Sequence, residues 1–131
     1  MARIVLNPAE KLATGKREID LPAMPVAARY LSVSLKRSAW PDTGADVVRV
    51  SVEVTEDGGA TWQFLYGFTA RGGEPRDKNG AVQTHSRGGA WRHDEKGNAM
   101  PLFPGVNPRR RVRVTVEPLV ELDTEVVADI S

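Results

Sequence analysis

Apolar and polar residues alternate with a period of two along most of this chain. Between Arg29 and Lys36 the apolar positions are Leu31, Val33 and Leu35. Between Val47 and Thr55 they are Val48, Val50, Val52 and Val54, interleaved with Arg49, Ser51 and Glu53. The pattern continues with Trp62, Phe64, Tyr66 and Phe68 in Thr61–Thr69, with Val112, Val114 and Val116 in Arg111–Glu117, and with Val126, Ala128 and Ile130 in Thr124–Ser131. Successive side chains of a strand point to opposite faces, so each run predicts a strand with one face in a core and one in water. On this reading the four aromatic residues from Trp62 to Phe68 all face the core. Arg3–Leu6 and Arg17–Leu21 are shorter strand signals. Pro8–Thr14 reads as a turn or two of helix, with proline at its first position and Gly15 at its end.

Several strands joined by turn signals predict an all-β fold, an antiparallel β-sandwich or jelly-roll-like barrel of about seven or eight strands. Residues 29–131 form that sandwich domain, and residues 1–28, interrupted by prolines, form an N-terminal arm with short strand elements. Alternation vanishes in residues 70–108, which hold seven glycines and four prolines. This stretch reads as one long irregular loop, and a loop of that length in a compact domain is commonly functional. With so little apolar content, it packs most naturally on neighbouring subunits.

Composition narrows the function. The chain has 131 residues, 18 basic and 17 acidic, for a net charge of +1 and no cysteine. One domain is expected, with neither a disulfide framework nor a thiolate metal site. The charge balance does not call for nucleic acid or a membrane surface as a partner. No apolar run is long enough to span a bilayer. Met1–Lys11 lacks the apolar segment of a secretory signal, so the expectation is assembly in the cytoplasm.

Thr55-Glu56-Asp57-Gly58-Gly59-Ala60-Thr61-Trp62 lies between two strongly alternating runs and has the chemistry of a hairpin turn. Thr55, Asp57, Gly59, Thr61 and Trp62 fill every position of a pattern that reads Ser or Thr, x, Asp, x, Gly, x, Thr, Trp or Phe. The stretch resembles the Asp-box hairpin of sialidases and related β-propellers. That resemblance implies a turn organised by Asp57, with Trp62 packed beneath it, and a structural rather than catalytic device.

Other clusters carry weaker chemistry. His85, His93, Asp94 and Glu95 belong to the vocabulary of zinc or manganese sites, but their spacing matches no motif, and solvated or interfacial roles fit them better. Asp42, Asp46, Glu56 and Asp57 crowd two turns where calcium is conceivable, although aspartate is also the ordinary turn residue. A nucleophile elbow, a metalloprotease helix motif and a phosphate loop are all missing, and neither a catalytic constellation nor a cofactor is expected. Arg109, Arg111 and Arg113, with Arg110 beside them, make a basic row. It either binds phosphates or acidic neighbours, or is a solvated face that discourages edge pairing. Without aromatic residues on the same face, nucleic acid is not the expected partner. Trp40 reads as a cap on the core, and Trp91 as an interface anchor or the packing centre of its own loop.

In architecture and composition the chain is similar to small β-sandwich virion proteins of tailed bacteriophages, such as capsid decoration or tail accessory proteins. The resemblance implies a non-enzymatic subunit of a homo-oligomer or lattice, located in the virion, that ties protein neighbours together through loop and arm. Trp91, Leu102 and Phe103 would be its apolar anchors, and Arg109, Arg111 and Arg113 would meet acidic residues of a neighbour. The alternative is a carbohydrate-binding β-sandwich module in which Trp40, Trp62 or Trp91 stacks on a sugar ring.

Overall fold

The computed structural model describes residues 2–7, 11–21, 28–36, 40–41, 44–73, 78–80, 85–103 and 105–131. Within these residues the chain forms β1 (Ala2–Val5), β2 (Lys11–Leu12), β3 (Arg17–Asp20), β4 (Tyr30–Lys36), β5 (Asp46–Thr55), β6 (Gln63–Arg71), β7 (His85–His93), β8 (Ala99–Met100), β9 (Arg111–Pro118), β10 (Leu122–Asp123) and β11 (Val126–Ile130). A five-stranded sheet has the order β1-β11-β4-β7-β8, and a four-stranded sheet the order β3-β9-β5-β6. A two-stranded ribbon joins β2 to β10. All pairings are antiparallel.

The pairings nest. β1 pairs with β11, β2 with β10, β3 with β9, β4 with β7 and β5 with β6. The chain is therefore one long hairpin folded back on itself, with residues 56–62 as its tip. Contacts of β11 with β4 and of β5 with β9 then close the two sheets. This is the wrap of a jelly roll.

The alternating valines and leucines meet between the sheets. Leu31, Val33, Leu35, Val48, Val52, Val114, Val116, Val126 and Ala128 have essentially no exposure. Leu12 and Leu122 from the ribbon join the same core, and Trp40 packs against it as the sequence predicts for a cap.

Three expectations are corrected. First, the N-terminal segment is no free arm, because its short strands pair with β11, β10 and β9. Leu12 and Leu21 anchor it in the core, and the buried Asn7 clasps the opposite chain end. Asn7 donates from Nδ2 to the Thr124 carbonyl at 2.6 Å and accepts from the Val126 amide at 2.6 Å. The expected helical turn at Pro8–Thr14 lies partly outside the described residues. Its Lys11 and Leu12 are strand, because pairing with β10 buries Leu12.

Second, the segment 70–108 is not one irregular loop. It holds β7, which adds to the five-stranded sheet beside β4. Its periodicity is hidden because Gly88 and Gly89 stand where apolar residues would mark a strand. A Cβ on Gly88 would lie 2.7 Å from the Phe68 ring and 3.1 Å from the Tyr66 ring, both between the sheets. One on Gly89 would lie 2.5 Å from Tyr30 Oη, on the outer face. Neighbouring aromatics fill the volume that β7 leaves empty.

Third, the aromatic row of β6 does not share one face. The ladder with β5 runs Val52 to Tyr66, then Glu53 to Phe64, leaving Leu65 as a bulge. An extra residue reverses the phase of a strand. Tyr66 and Phe68 therefore pack inward, while Phe64 lies opposite Glu53 on the outer face and is 70% exposed.

Candidate functional site

The hairpin tip is built on Thr55 and Asp57. Thr55 is buried, and its hydroxyl donates to Asp57 Oδ1 at 2.7 Å while accepting from the Gly59 amide at 2.9 Å. Asp57 Oδ1 also accepts the Thr61 amide at 2.9 Å, and Oδ2 accepts the Thr61 hydroxyl at 2.5 Å. The Thr61 hydroxyl and amide and the Thr55 hydroxyl hold the Asp57 carboxyl well below the usual aspartate range. Gly59, at φ 103°, supplies the left-handed conformation that the turn requires.

Trp62 follows the turn, but it is not an anchor in the core. It is half-buried on the outer face of the four-stranded sheet, beneath two guanidinium groups. Arg113 Cζ lies 4.0 Å from the ring centroid and Arg111 Cζ lies 5.6 Å away. Each arginine is also paired with acid. Arg113 donates to Glu53 at 3.2 and 3.3 Å and to Glu18 at 3.2 Å. Arg111 donates to Asp20, and Thr115 adds a hydroxyl to Glu53 at 3.1 Å. The Arg113 guanidinium holds Glu53 below the ordinary glutamate range, and Glu53 in turn raises Arg113.

The neighbouring Arg110 pairs with Glu56 through Nε at 2.9 and 3.0 Å, and Asn107 donates to the same carboxylate at 2.7 Å. These contacts fasten residues 105–110 to the hairpin tip, and the Arg110 hydrogen bond holds Glu56 below its ordinary range. Arg111 and Arg113, expected to meet acids of a neighbour, are thus satisfied by acids of their own sheet. Of the expected basic row, Arg109 is exposed. Glu18, Asp20 and Glu53, the residues that complete the cluster, escape sequence reasoning. Only the strand register places Asp20 and Glu53 on either side of Arg113.

The outer face of the five-stranded sheet is different. Trp91 lies opposite Tyr30 in the β4–β7 ladder and is 56% exposed. The Tyr30 and Trp91 centroids are 5.9 Å apart, and His93 meets Trp91 edge-on at 6.0 Å. Tyr30 lies across Gly89, whose missing side chain leaves room for the ring. The other expected anchors do not join Trp91. Leu102 is buried, with its amide donating to the Ala28 carbonyl at 2.7 Å. Phe103 is half-buried with Arg110 5.2 Å above its ring.

The metal-type clusters do not converge. His85 and His93 sit at opposite ends of β7, about 26 Å apart at the usual strand rise. Asp94 is occupied by its own turn, accepting the Lys96 and Asn98 amides at 2.9 Å each, which hold it below the ordinary range. Asp46 pairs with Arg71 at 3.5 Å, while Asp42 lies outside the described residues. Among the described residues no group of three or more His, Cys, Asp or Glu is placed to hold a metal ion.

The chain matches no protein-family model, no curated protein and no solved structure.

Proposed function

We propose that this chain is a non-enzymatic structural and interaction protein, a virion component of the capsid decoration or tail accessory type, that binds protein neighbours. The observation that supports the reading most is the placement of Phe64 and Trp91. Both are large, mostly exposed aromatics held on rigid sheet faces rather than on loops. Aromatic residues lose little side-chain freedom when covered and are enriched where proteins meet. Arg111 and Arg113 of the four-stranded sheet are paired with Asp20, Glu18 and Glu53 of the same sheet, and Phe64 and Trp91 are left as natural contacts. The contact surface is then sheet face and sheet edge, in place of the loop and arm that the sequence pointed to. Fold alone does not choose a function, and jelly rolls serve both in shells and in lectins.

One observation favours a second reading, a carbohydrate-binding module. Trp91, 56% exposed and tilted 40° to the adjacent Tyr30 ring, presents an open aromatic ring of the kind on which a sugar stacks. A paired experiment separates the two. Intact particles from the source of the chain are examined for it by mass spectrometry, and the purified chain is applied to a glycan array. Presence in the particle with a blank array supports the assembly reading. Absence from every particle, with array binding that disappears in Trp91→Ala, replaces it with the second.

A further inference from the structure

The four-stranded sheet has two edges, and they are unlike. β3 is short and carries Arg17, Glu18 and Asp20 in four residues. β6 is nine residues long, and from Gln63 to Ala70 it has no charge and no proline. On the side away from β5, β6 has no partner strand among the described residues. β7 approaches from the opposite sheet and packs Gly88 under Tyr66 and Phe68, but it forms no ladder with β6. The β1 edge of the other sheet is four residues long and carries Arg3, and the far edge is the two-residue β8. Proteins normally guard a sheet edge with charge, proline or shortness. Between the irregularities at Val47 and Leu65, five consecutive residues, Tyr66 to Ala70, pair regularly with β5. Phe64, mostly exposed, stands at the start of this edge.

We infer that the β6 edge pairs with the β6 edge of a second copy of this chain, joining two four-stranded sheets into one across a twofold axis. Antiparallel pairing about a twofold brings each edge against itself, so an edge suits this role only if it does not repel its own copy. The β3 edge offers only four residues for pairing, three of them charged, whereas β6 sets no charge against its own copy before Arg71. Each Phe64 is then covered by the partner strand. The inference rests on the assembly reading and names its first partner.

The test is sedimentation velocity on the full chain and on the double variant Gln63→Lys/Thr69→Lys, with amide exchange on β6. Both positions are exposed, so the monomer tolerates the change. The wild type is expected to be a dimer in which the amides of Tyr66–Ala70 that point away from β5 become protected as concentration rises. Like charges set across a ladder are destabilising, so the variant dimerises roughly tenfold or more weakly, with a thermal melt unchanged at dilutions where both proteins are monomeric. A wild-type dimer indifferent to the two lysines uses another surface and overturns the inference, while leaving the assembly reading intact. A monomer whose β6 amides become protected only when intact particles are added assigns the edge to a strand of another subunit, and likewise overturns self-pairing. A monomer whose β6 amides facing away from β5 stay unprotected with and without particles removes the edge from any assembly role, and particle mass spectrometry then decides the broader reading separately.

Discussion

Trp62 and Trp91 both stand on outer sheet faces, and only one of them is covered. Two guanidiniums lie over Trp62, each held in turn by a carboxylate of the same sheet. Trp91 has Tyr30 and His93 at its sides and is 56% exposed. The difference shows how one residue type can serve stability in one place and contact in another. A cation over an aromatic face is favourable, and more so as the pair is withdrawn from water. Trp62 thereby belongs to the fold, whereas the Trp91 surface is available to a partner.

Substitutions can break this contrast. The largest effect is expected from Trp62→Ala, which uncovers the cluster and removes a half-buried ring; it should cost about 2 kcal/mol of unfolding free energy. A urea titration checks this, and a loss no larger than that of an exposed residue would make Trp62 equivalent to Trp91. Next comes Thr55→Val at the hairpin tip. The side chain is buried and its hydroxyl serves both Asp57 and Gly59, so the loss should be about 1.5 kcal/mol, by the same titration. Glu53→Gln keeps the shape but removes the charge opposite Arg113. With both side chains only about one-fifth exposed, a cost of about 1–2 kcal/mol follows. In that variant, Trp62 fluorescence should also become more sensitive to added salt.

Acid sharpens the contrast further. The Asp57 carboxyl is held lower in the fold than in the unfolded chain. Its contribution is therefore complete above the ordinary aspartate value of about 4 and is lost as pH falls toward and through the lower folded value. The stability difference between wild type and Asp57→Asn should be constant near neutrality and shrink steadily below about pH 4. A difference that grows on acidification would contradict the turn geometry. The smallest stability effect is expected for Trp91→Ala, within about 0.5 kcal/mol, as for an exposed site.

The strands around these two tryptophans were unequally legible. Alternation in Val48–Val54 and Val112–Val116 is enough to find β5 and β9, because one period governs each run without a break. β7 escapes the same reasoning, since Gly88 and Gly89 yield their space to Phe68 and Tyr30, which belong to other strands. The Leu65 bulge deceives in the opposite way. The aromatic residues alternate through Trp62, Phe64, Tyr66 and Phe68, with apolar Leu65 between two of them, yet that one unpaired residue turns Phe64 outward. The hairpin turn organised by Asp57 was legible, because all its hydrogen-bond partners lie within residues 55–62. The acids over Trp62 were not, because Glu18 and Arg113 are 95 residues apart and meet only through β3–β9 pairing. Local chemistry can be read from a sequence. Chemistry assembled by register requires the fold.

The central claim is that Trp91 faces a neighbour while Trp62 serves the chain's own stability. Oxidative footprinting of both tryptophans, in the purified chain and in intact particles, tests it most directly. The account predicts strong labelling of Trp91 in the free chain, weak labelling of Trp62 in both samples, and protection of Trp91 in the particle. Equal labelling of Trp91 in free and assembled protein would contradict it.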